Sequence, residues 1–455
     1  MTGDEILDAM EHIDPELIAA ADAPVKKRRK PYWYAAIAAL LALVIGLSLL
    51  FNPLLIGVQA VSTAKYPEYK WTNHKNMRAT TEALSGFFRE SMLQTLSDSE
   101  GENVAYSPIN LYLALCISAE LTGGDSQILK ALDAQSLEAL RSQASEIWNA
   151  TYYDDGNKAL LANSLWLDES LEYHQAVMDT LAETYYTSVY RGDLGGDEVN
   201  RAIRAWLNDQ TGGLLKQESG NVSLDQSTVM ALYSTVFYRA KWGTGYSGYD
   251  FSKSTNTNDV FHAPSGDVQC TYMHHDLLQT YYYVGEDFGA IYLHLKDGSR
   301  MWFILPDGDK TVDDVLQSGE YAYFLFSQVY PEDMQDHCKY MKVNLSLPKF
   351  DIRSSGNLKE DLQNMGITNI FDPENSGLSH SVASDMDVWF TAVNQATRVA
   401  IDEEGVTAAS YIEIPAAGCP MPPEEIIDFI LDRPFLFVIT NTYNLPLFAG
   451  IVNEP

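Results

Sequence analysis

Cysteine and positive charge are both scarce in this chain. Its 455 residues hold four cysteines, Cys116, Cys270, Cys338 and Cys419, no two of them closer than 68 positions. That spacing excludes a Cys-x-x-Cys metal site and a dense disulfide framework, so stability has to come from a packed core. Lysine and arginine together number 30 against 62 acidic residues, a formal net charge of −32. Gripping nucleic acid takes clustered cations, and this balance excludes that class. Catalytic signatures are missing too. The nearest string to a Gly-x-Ser-x-Gly elbow, Gly377-Leu378-Ser379-His380-Ser381, lacks the final glycine that the sharp turn needs. His274-His275 is not an i, i+4 pair, and no Gly-x-x-x-x-Gly-Lys loop exists to cradle a phosphate. The acids Asp402-Glu403-Glu404 have nothing nearby to make them an acid–base pair. No enzyme chemistry, metal or cofactor is implied.

What is present is apolar bulk: 46% hydrophobic and 11% aromatic residues, enough for large cores and too much for a disordered chain. The five cations Lys26, Lys27, Arg28, Arg29 and Lys30 directly precede residues 32–51, a 20-residue stretch without charge. At about 1.5 Å per residue it covers about 30 Å, the thickness of a bilayer core. Tyr32, Trp33 and Tyr34 stand at its start, where amphipathic rings favour the interface, and the cations before it keep that end in the cytoplasm. The expected organisation is a cytoplasmic tail over residues 1–30, a transmembrane signal anchor over 31–52, a juxtamembrane spacer over 53–71 and one extracellular domain over 72–455. A cleaved signal peptide ending at Val58-Gln59-Ala60 is the alternative, and it would leave a secreted protein.

Within the exported part, helical periodicity comes first. Leu84, Phe87, Phe88, Met92 and Leu96 recur at helical spacing, and an apolar run over residues 109–121 is closed by Gly123-Gly124. Runs rich in branched and aromatic residues follow at 281–284, 290–295, 301–305, 340–347 and 435–440. Helices before strands suggest an α+β fold with large, mainly antiparallel sheets.

One segment has two natures. Positions 406, 408, 410, 412, 414 and 416 are Val, Ala, Ser, Ile, Ile and Ala, whereas 407, 411, 413 and 415 are Thr, Tyr, Glu and Pro. A period of two with one small or apolar face suits a half-buried strand. Directly afterwards, Gly418-Cys419-Pro420-Met421-Pro422-Pro423 cannot sit in a central strand and reads as an exposed loop.

Glu403-Glu404-Gly405, followed by small residues and ending in Pro422-Pro423-Glu424, resembles the hinge and reactive-centre loop of a serpin. Other strings match that family in order: Asn103 to Ile109 with its Ser107-Pro108, Asn163-Ser164-Leu165-Trp166-Leu167, Trp206 to Leu214, and Phe237-Tyr238-Arg239-Ala240-Lys241-Trp242. Leu347-Pro348-Lys349-Phe350, Asp432-Arg433-Pro434-Phe435-Leu436-Phe437 and the closing Leu447 to Asn453 complete the set. The resemblance is to a bacterial-type serpin with an N-terminal membrane anchor, and it spans roughly residues 73–455.

The resemblance implies a serpin fold and suicide inhibition. A serine protease attacks the exposed loop, and the freed loop inserts into the main sheet before water releases the enzyme. The hinge would be Glu403, Glu404, Gly405, Val406, Thr407, Ala408, Ala409 and Ser410. Val406, Ala408, Ser410, Ile412 and Ile414 would point inward on insertion, with Glu413 outward. Counting Gly405 as the fifteenth residue before the cut puts the scissile bond at Cys419-Pro420. Most serine proteases cleave poorly before proline, so the bonds after Gly418 and Ala417 stay as alternatives. The small residues there fit an elastase-like or subtilisin-like target. The polar shutter and the breach would use Ser107, Asn110, Ser234, Asn394 and Trp242, with Ala240 where a glycine is usual. A monomer is expected, and the acidic body disfavours heparin-type activation. A noninhibitory binding or chaperone protein of the same fold is the competing reading.

Overall fold

The computed structural model describes residues 57–66, 76–97, 99, 101–154, 158–213, 222–243, 251–327, 337–383, 387–406 and 425–455. The chain begins with β1 (Gln59–Ser62), α1 (Met77–Ala83), α2 (Ser85–Leu96), β2 (Val104–Tyr106), α3 (Pro108–Leu121), α4 (Ser126–Ala131) and α5 (Leu137–Thr151). Next come β3 (Tyr153–Asp154), β4 (Lys158–Asp168), α6 (Gln175–Thr184), β5 (Thr187–Gly192), α7 (Asp197–Gln210) and β6 (Met230–Lys241). The middle holds β7 (Thr257–Ala263), β8 (Gly266–Val284), β9 (Phe288–His294), β10 (Arg300–Pro306), α8 (Val312–Ser318) and α9 (Tyr321–Phe326). The last part is β11 (Cys338–Pro348), β12 (Phe350–Asn357), α10 (Lys359–Asn364), β13 (Asn394–Asp402), β14 (Gly405–Val406), β15 (Ile426–Ile430), β16 (Phe435–Thr440) and β17 (Pro446–Val452).

Two sheets organise the body. The first runs β1-β5-β4-β6-β14-β13-β12, with β3 beside β4. The second runs β15-β11-β8-β9-β10-β16-β17-β2, with β7 beside β8. Most pairs are antiparallel; β4–β5 and β11–β15 are parallel. Every residue of β16 and β17 is buried, which explains why 435–440 reads as an unbroken apolar run rather than an alternating one. Helix α3 lies between the sheets, packed on both β6 and β17, and nearly all its side chains are buried. Ser107 caps it, accepting from the Asn110 N–H, and Pro108 fills the first helical position, where no N–H is needed. Its one buried acid, Glu120, is held by a two-pronged bond from Arg141 of α5, at 2.6 and 2.7 Å.

The helical pattern expected around residues 77–96 is present but broken at Leu84 into α1 and α2. Residues 59–62, inside the stretch read as a spacer, form an edge strand of the first sheet. Cys116, Cys270 and Cys338 are unpaired thiols, and Cys419 lies outside the described residues. So does the apolar stretch 32–51; among the described residues no helix is long and apolar enough to cross a membrane.

Candidate functional site

At Glu403-Glu404 the chain turns out of β13 and re-enters the first sheet as β14, between β13 and β6. Gly405 opposes Lys241 on one side and Asp402 on the other; Val406 opposes Ala240 and Ile401. Gly405 has φ 138°, and a Cβ there would lie 2.5 Å from the Ala240 carbonyl oxygen and 2.7 Å from the Trp242 nitrogen. Only glycine permits that approach. Val406 is 4% exposed and joins the main core. Beyond this two-residue wedge, no ladder joins β6 to β13 among the described residues. The seam between them holds a narrow cleft beside Val236, Tyr238, Val399 and Val406. A second, roomier cleft lies beside Asn110, Leu232, Ser234 and Gln395.

The turn before the wedge is locked by charge. The Glu403 side chain is 5% exposed, and Lys349 places its ammonium 3.0 Å from both carboxylate oxygens. The Asn256 amide donates to the same group at 2.6 Å. Burial alone would raise the Glu403 pKa; its own backbone N–H, Asn256 and Lys349 outweigh that and hold the carboxyl below its ordinary value. Beside it, buried Trp242 donates its indole N–H to the Asp402 carbonyl at 2.8 Å and its backbone N–H to Glu404 at 3.2 Å.

Midway along the seam sits a polar cluster. Asn110 donates its amide to the Ser234 carbonyl at 2.8 Å, and Asn163 donates its own to the Tyr185 carbonyl at 3.2 Å. Both amides therefore aim their oxygens at the Ser234 hydroxyl, which lies 2.6 Å from Asn163 Oδ1 and also contacts Asn110 Oδ1. One hydroxyl proton serves two acceptors. Across the seam, the Ser107 N–H donates to Gln395 Oε1 at 2.7 Å and the Gln395 amide donates back to the Ser107 carbonyl at 3.2 Å. The Ser107 hydroxyl donates to the Leu447 carbonyl of β17 at 2.6 Å, which ties the seam to the second sheet.

The family profile described as Serpin (serine protease inhibitor) matches residues 84–455. The chain belongs to the serpin family. The family is in general one of protease inhibitors rather than catalysts. This serpin is 27% identical to Serpin-ZX of Arabidopsis thaliana over 379 residues, 78% of this chain and 93% of the relative. It is 24% identical to antithrombin-III of Homo sapiens over 388 residues, 81% and 80% of the two chains. To the leukocyte elastase inhibitor of Homo sapiens it is 23% identical over 389 residues, 83% of this chain and all of the relative. Among solved structures, the thermophilic serpin tengpin in its native state superposes with a TM-score of 0.71 at 23% identity, covering 87% of this chain and all of that one. AtSerpin1 of Arabidopsis in its native stressed conformation gives 0.68 at 23% identity, with 85% and 100% covered. These two likenesses establish the fold. The curated relatives named here are plant and human proteins and lend nothing to a bacterial type.

In the serpin frame, Ser107, Asn110 and Ser234 meet at the seam, and Trp242 lies beside the wedge. Asn394 does not. It is exposed at the start of β13, and its neighbour Gln395 makes the Ser107 contacts instead. Adjacent strand residues face opposite sides, and Thr397, Val399 and Ile401 are the buried ones, so odd positions of β13 point inward. That parity was available in the sequence and selects 395. Asn163 is a further member of the cluster, which the strand pattern of its string does not single out. Ala240 is fully buried directly opposite Val406. Glu403, Glu404, Gly405 and Val406 are described; Thr407, Ala408, Ala409 and Ser410 lie outside the described residues, as do Ala417, Gly418, Cys419 and Pro420.

Proposed function

We propose that this serpin is a membrane-anchored inhibitor of serine proteases that acts as a suicide substrate. The observation that supports it most is the register at the wedge. With Val406 between Ala240 and Ile401, each further residue inserted in the same strand would meet the preceding residue of β6 and of β13. Ala408 would fall opposite Tyr238 and Val399, Ser410 opposite Val236 and Thr397, and Ile412 opposite Ser234 and Gln395. Ile414 and Ala416 would meet Leu232 and Met230. Tyr238 and Met230 belong to the main core, and Val236 and Leu232 pack against it. The small and apolar face of the 406–416 alternation therefore matches the inward face of β6. The alternation ends at Ala416, opposite the first residue of β6.

The chemistry needs only the target's own serine. Its hydroxyl attacks the scissile carbonyl, the peptide bond breaks, the amine of the next residue departs with a proton, and an ester to the protease remains. The freed segment then gains ladder hydrogen bonds on both sides and buries its apolar face, which the uncut loop withholds. The bond after Cys419 is the first candidate and those after Gly418 and Ala417 follow. An elastase-like or subtilisin-like target suits Ala416-Ala417-Gly418, and one relative is named as an inhibitor of leukocyte elastase. Residues 32–51 would hold the inhibitor at the cell surface as a single-pass anchor.

Incubation with an elastase-like and a trypsin-like protease, followed by denaturing gels and mass spectrometry of the released peptide, tests the reading. An SDS-resistant adduct with the first enzyme, and a peptide beginning at Pro420, Cys419 or Gly418, is the expected result. Cleavage without adduct would favour a noninhibitory protein of the same fold.

A further inference from the structure

The outward face of the second sheet carries an apolar patch that neither the core nor the seam explains. It is built from three neighbouring strands. Side chains alternate along β11: Met341, Val343 and Leu345 are buried, so Tyr340, Lys342 and Asn344 face outward. Their cross-strand partners share that face. Tyr281 of β8 lies beside Tyr340, Gln279 and Ile426 flank Lys342, and Asp428 lies beside Asn344. The rings of Tyr281 and Tyr340 approach to 5.2 Å between centroids. Ile426 is 56% exposed and Tyr281 44%. Strand β15 ends the sheet, and an edge strand ordinarily turns charge outward; this one turns out Ile426 and Ile430 on either side of Asp428.

Leu277 completes the patch, at a cost. Between the pair of Leu278 with Val343 and that of His275 with Leu345, two residues of β8, Asp276 and Leu277, oppose the single Asn344 in a bulge. Leu277 takes φ 53° there, the left-handed region where an L side chain crowds its own backbone and which glycine would adopt freely. The conformation is fixed by polar contacts. The Leu277 N–H donates to the Asn344 side-chain oxygen at 3.2 Å, and the Asn344 amide donates to Asp428 at 2.8 Å. Yet Leu277 is no core residue, its side chain being 47% exposed. Strain spent on showing an apolar side chain to water brings no stability, and it is the pattern of a functional contact. Apolar groups rimmed by Asp276, Asp428 and Lys342 also have the make-up of an interface centre and its border.

The patch adjoins the loop. Ile426 comes seven residues after Cys419, so even fully extended chain separates them by at most about 25 Å. A protease domain of about 220 residues has a radius of gyration near 17 Å and is about 40 Å across. An enzyme of that breadth seated at Cys419 comes within reach of the start of β15.

We infer that Leu277, Tyr281, Tyr340 and Ile426 form a second contact surface for the protease that attacks the loop, receiving an apolar ridge beside that enzyme's cleft. This rests on the reading that a protease attacks the loop, and it needs no insertion. In the full chain, Leu277→Gly removes the side chain and the strain together. Its melting temperature is expected to equal or exceed the parent's. The second-order rate at which an elastase-like or subtilisin-like protease attacks its loop, adduct and cleaved product counted together, is expected to fall about three- to tenfold, the scale of losing one interface anchor. Tyr281→Ala is expected to act in the same direction, and the ratio of adduct to cleaved product, set after attack, to stay at the parent's value. The same protease with its own nucleophilic serine replaced by alanine is expected to bind both variants more weakly than the parent. Unchanged rates and binding in both variants would overturn the surface and leave the inhibitor reading in place. Slower attack on the variants, with no adduct from any of the proteins, would keep the surface and count against inhibition. A parent that sediments as a dimer and a Leu277→Gly variant that sediments as a monomer would give the patch to a second copy of the chain and overturn the protease contact.

Discussion

The second sheet and the seam of the first sheet fill their interiors differently. In β16 and β17 every side chain is buried and nearly all are apolar, so each position contributes close packing and nothing there has an alternative partner. At the seam, two strands are kept apart by a two-residue wedge, flanked by clefts and joined through a cluster in which one serine proton answers two amides. The first region is finished; the second has room and hydrogen-bonding capacity left over. The proposed inhibition, in which the fold changes once and only in one place, would draw on that contrast.

The sharpest way to break the comparison is at the wedge. Val406→Arg would put a charge between Ala240 and Ile401, where burying it unpaired costs several kcal/mol, and nearly all SDS-resistant adduct is expected to be lost while loop cleavage persists. Phe437→Ala in β16 should cost about 3–5 kcal/mol, read as comparable falls in the melting temperatures of cut and uncut protein, because Phe437, unlike Ile439, does not line the seam cleft. Ser234→Ala strips the proton from the cluster and should cost about 1–3 kcal/mol, falling on the uncut form more than on the cut one. The smallest effect is that of acid. Glu403 is held below its ordinary value in the folded protein, so its contribution is present above the unfolded value and is lost as pH falls through the folded one. Hydrogen exchange at β14 is therefore expected to rise below about pH 4.5, and Lys349→Met should shrink that dependence.

Much of this contrast was legible beforehand because it is written in local pattern. The unbroken run at 435–440 announces a strand covered on both faces, and the period of two from 406 announces a segment with one inward face. Ser107-Pro108 marks the start of α3 through capping and a missing donor, both local effects. What stayed hidden depends on partners distant in sequence. Gln395 and Asn163 become cluster members only once α3, β4 and β13 meet, although the parity of β13 already favoured 395 over 394. Residues 59–62, Gln-Ala-Val-Ser, carry no strong strand preference, and it is the free edge of β5 and the stack of Tyr66 on Trp148 that make them a strand.

The account stands on a native state that has not yet reached its most stable arrangement. Cutting the loop once with a protease that does not become trapped, then comparing thermal melts of cut and intact protein, tests this most directly. A cut protein that melts tens of degrees higher is the expected result; coincident melts would contradict the account.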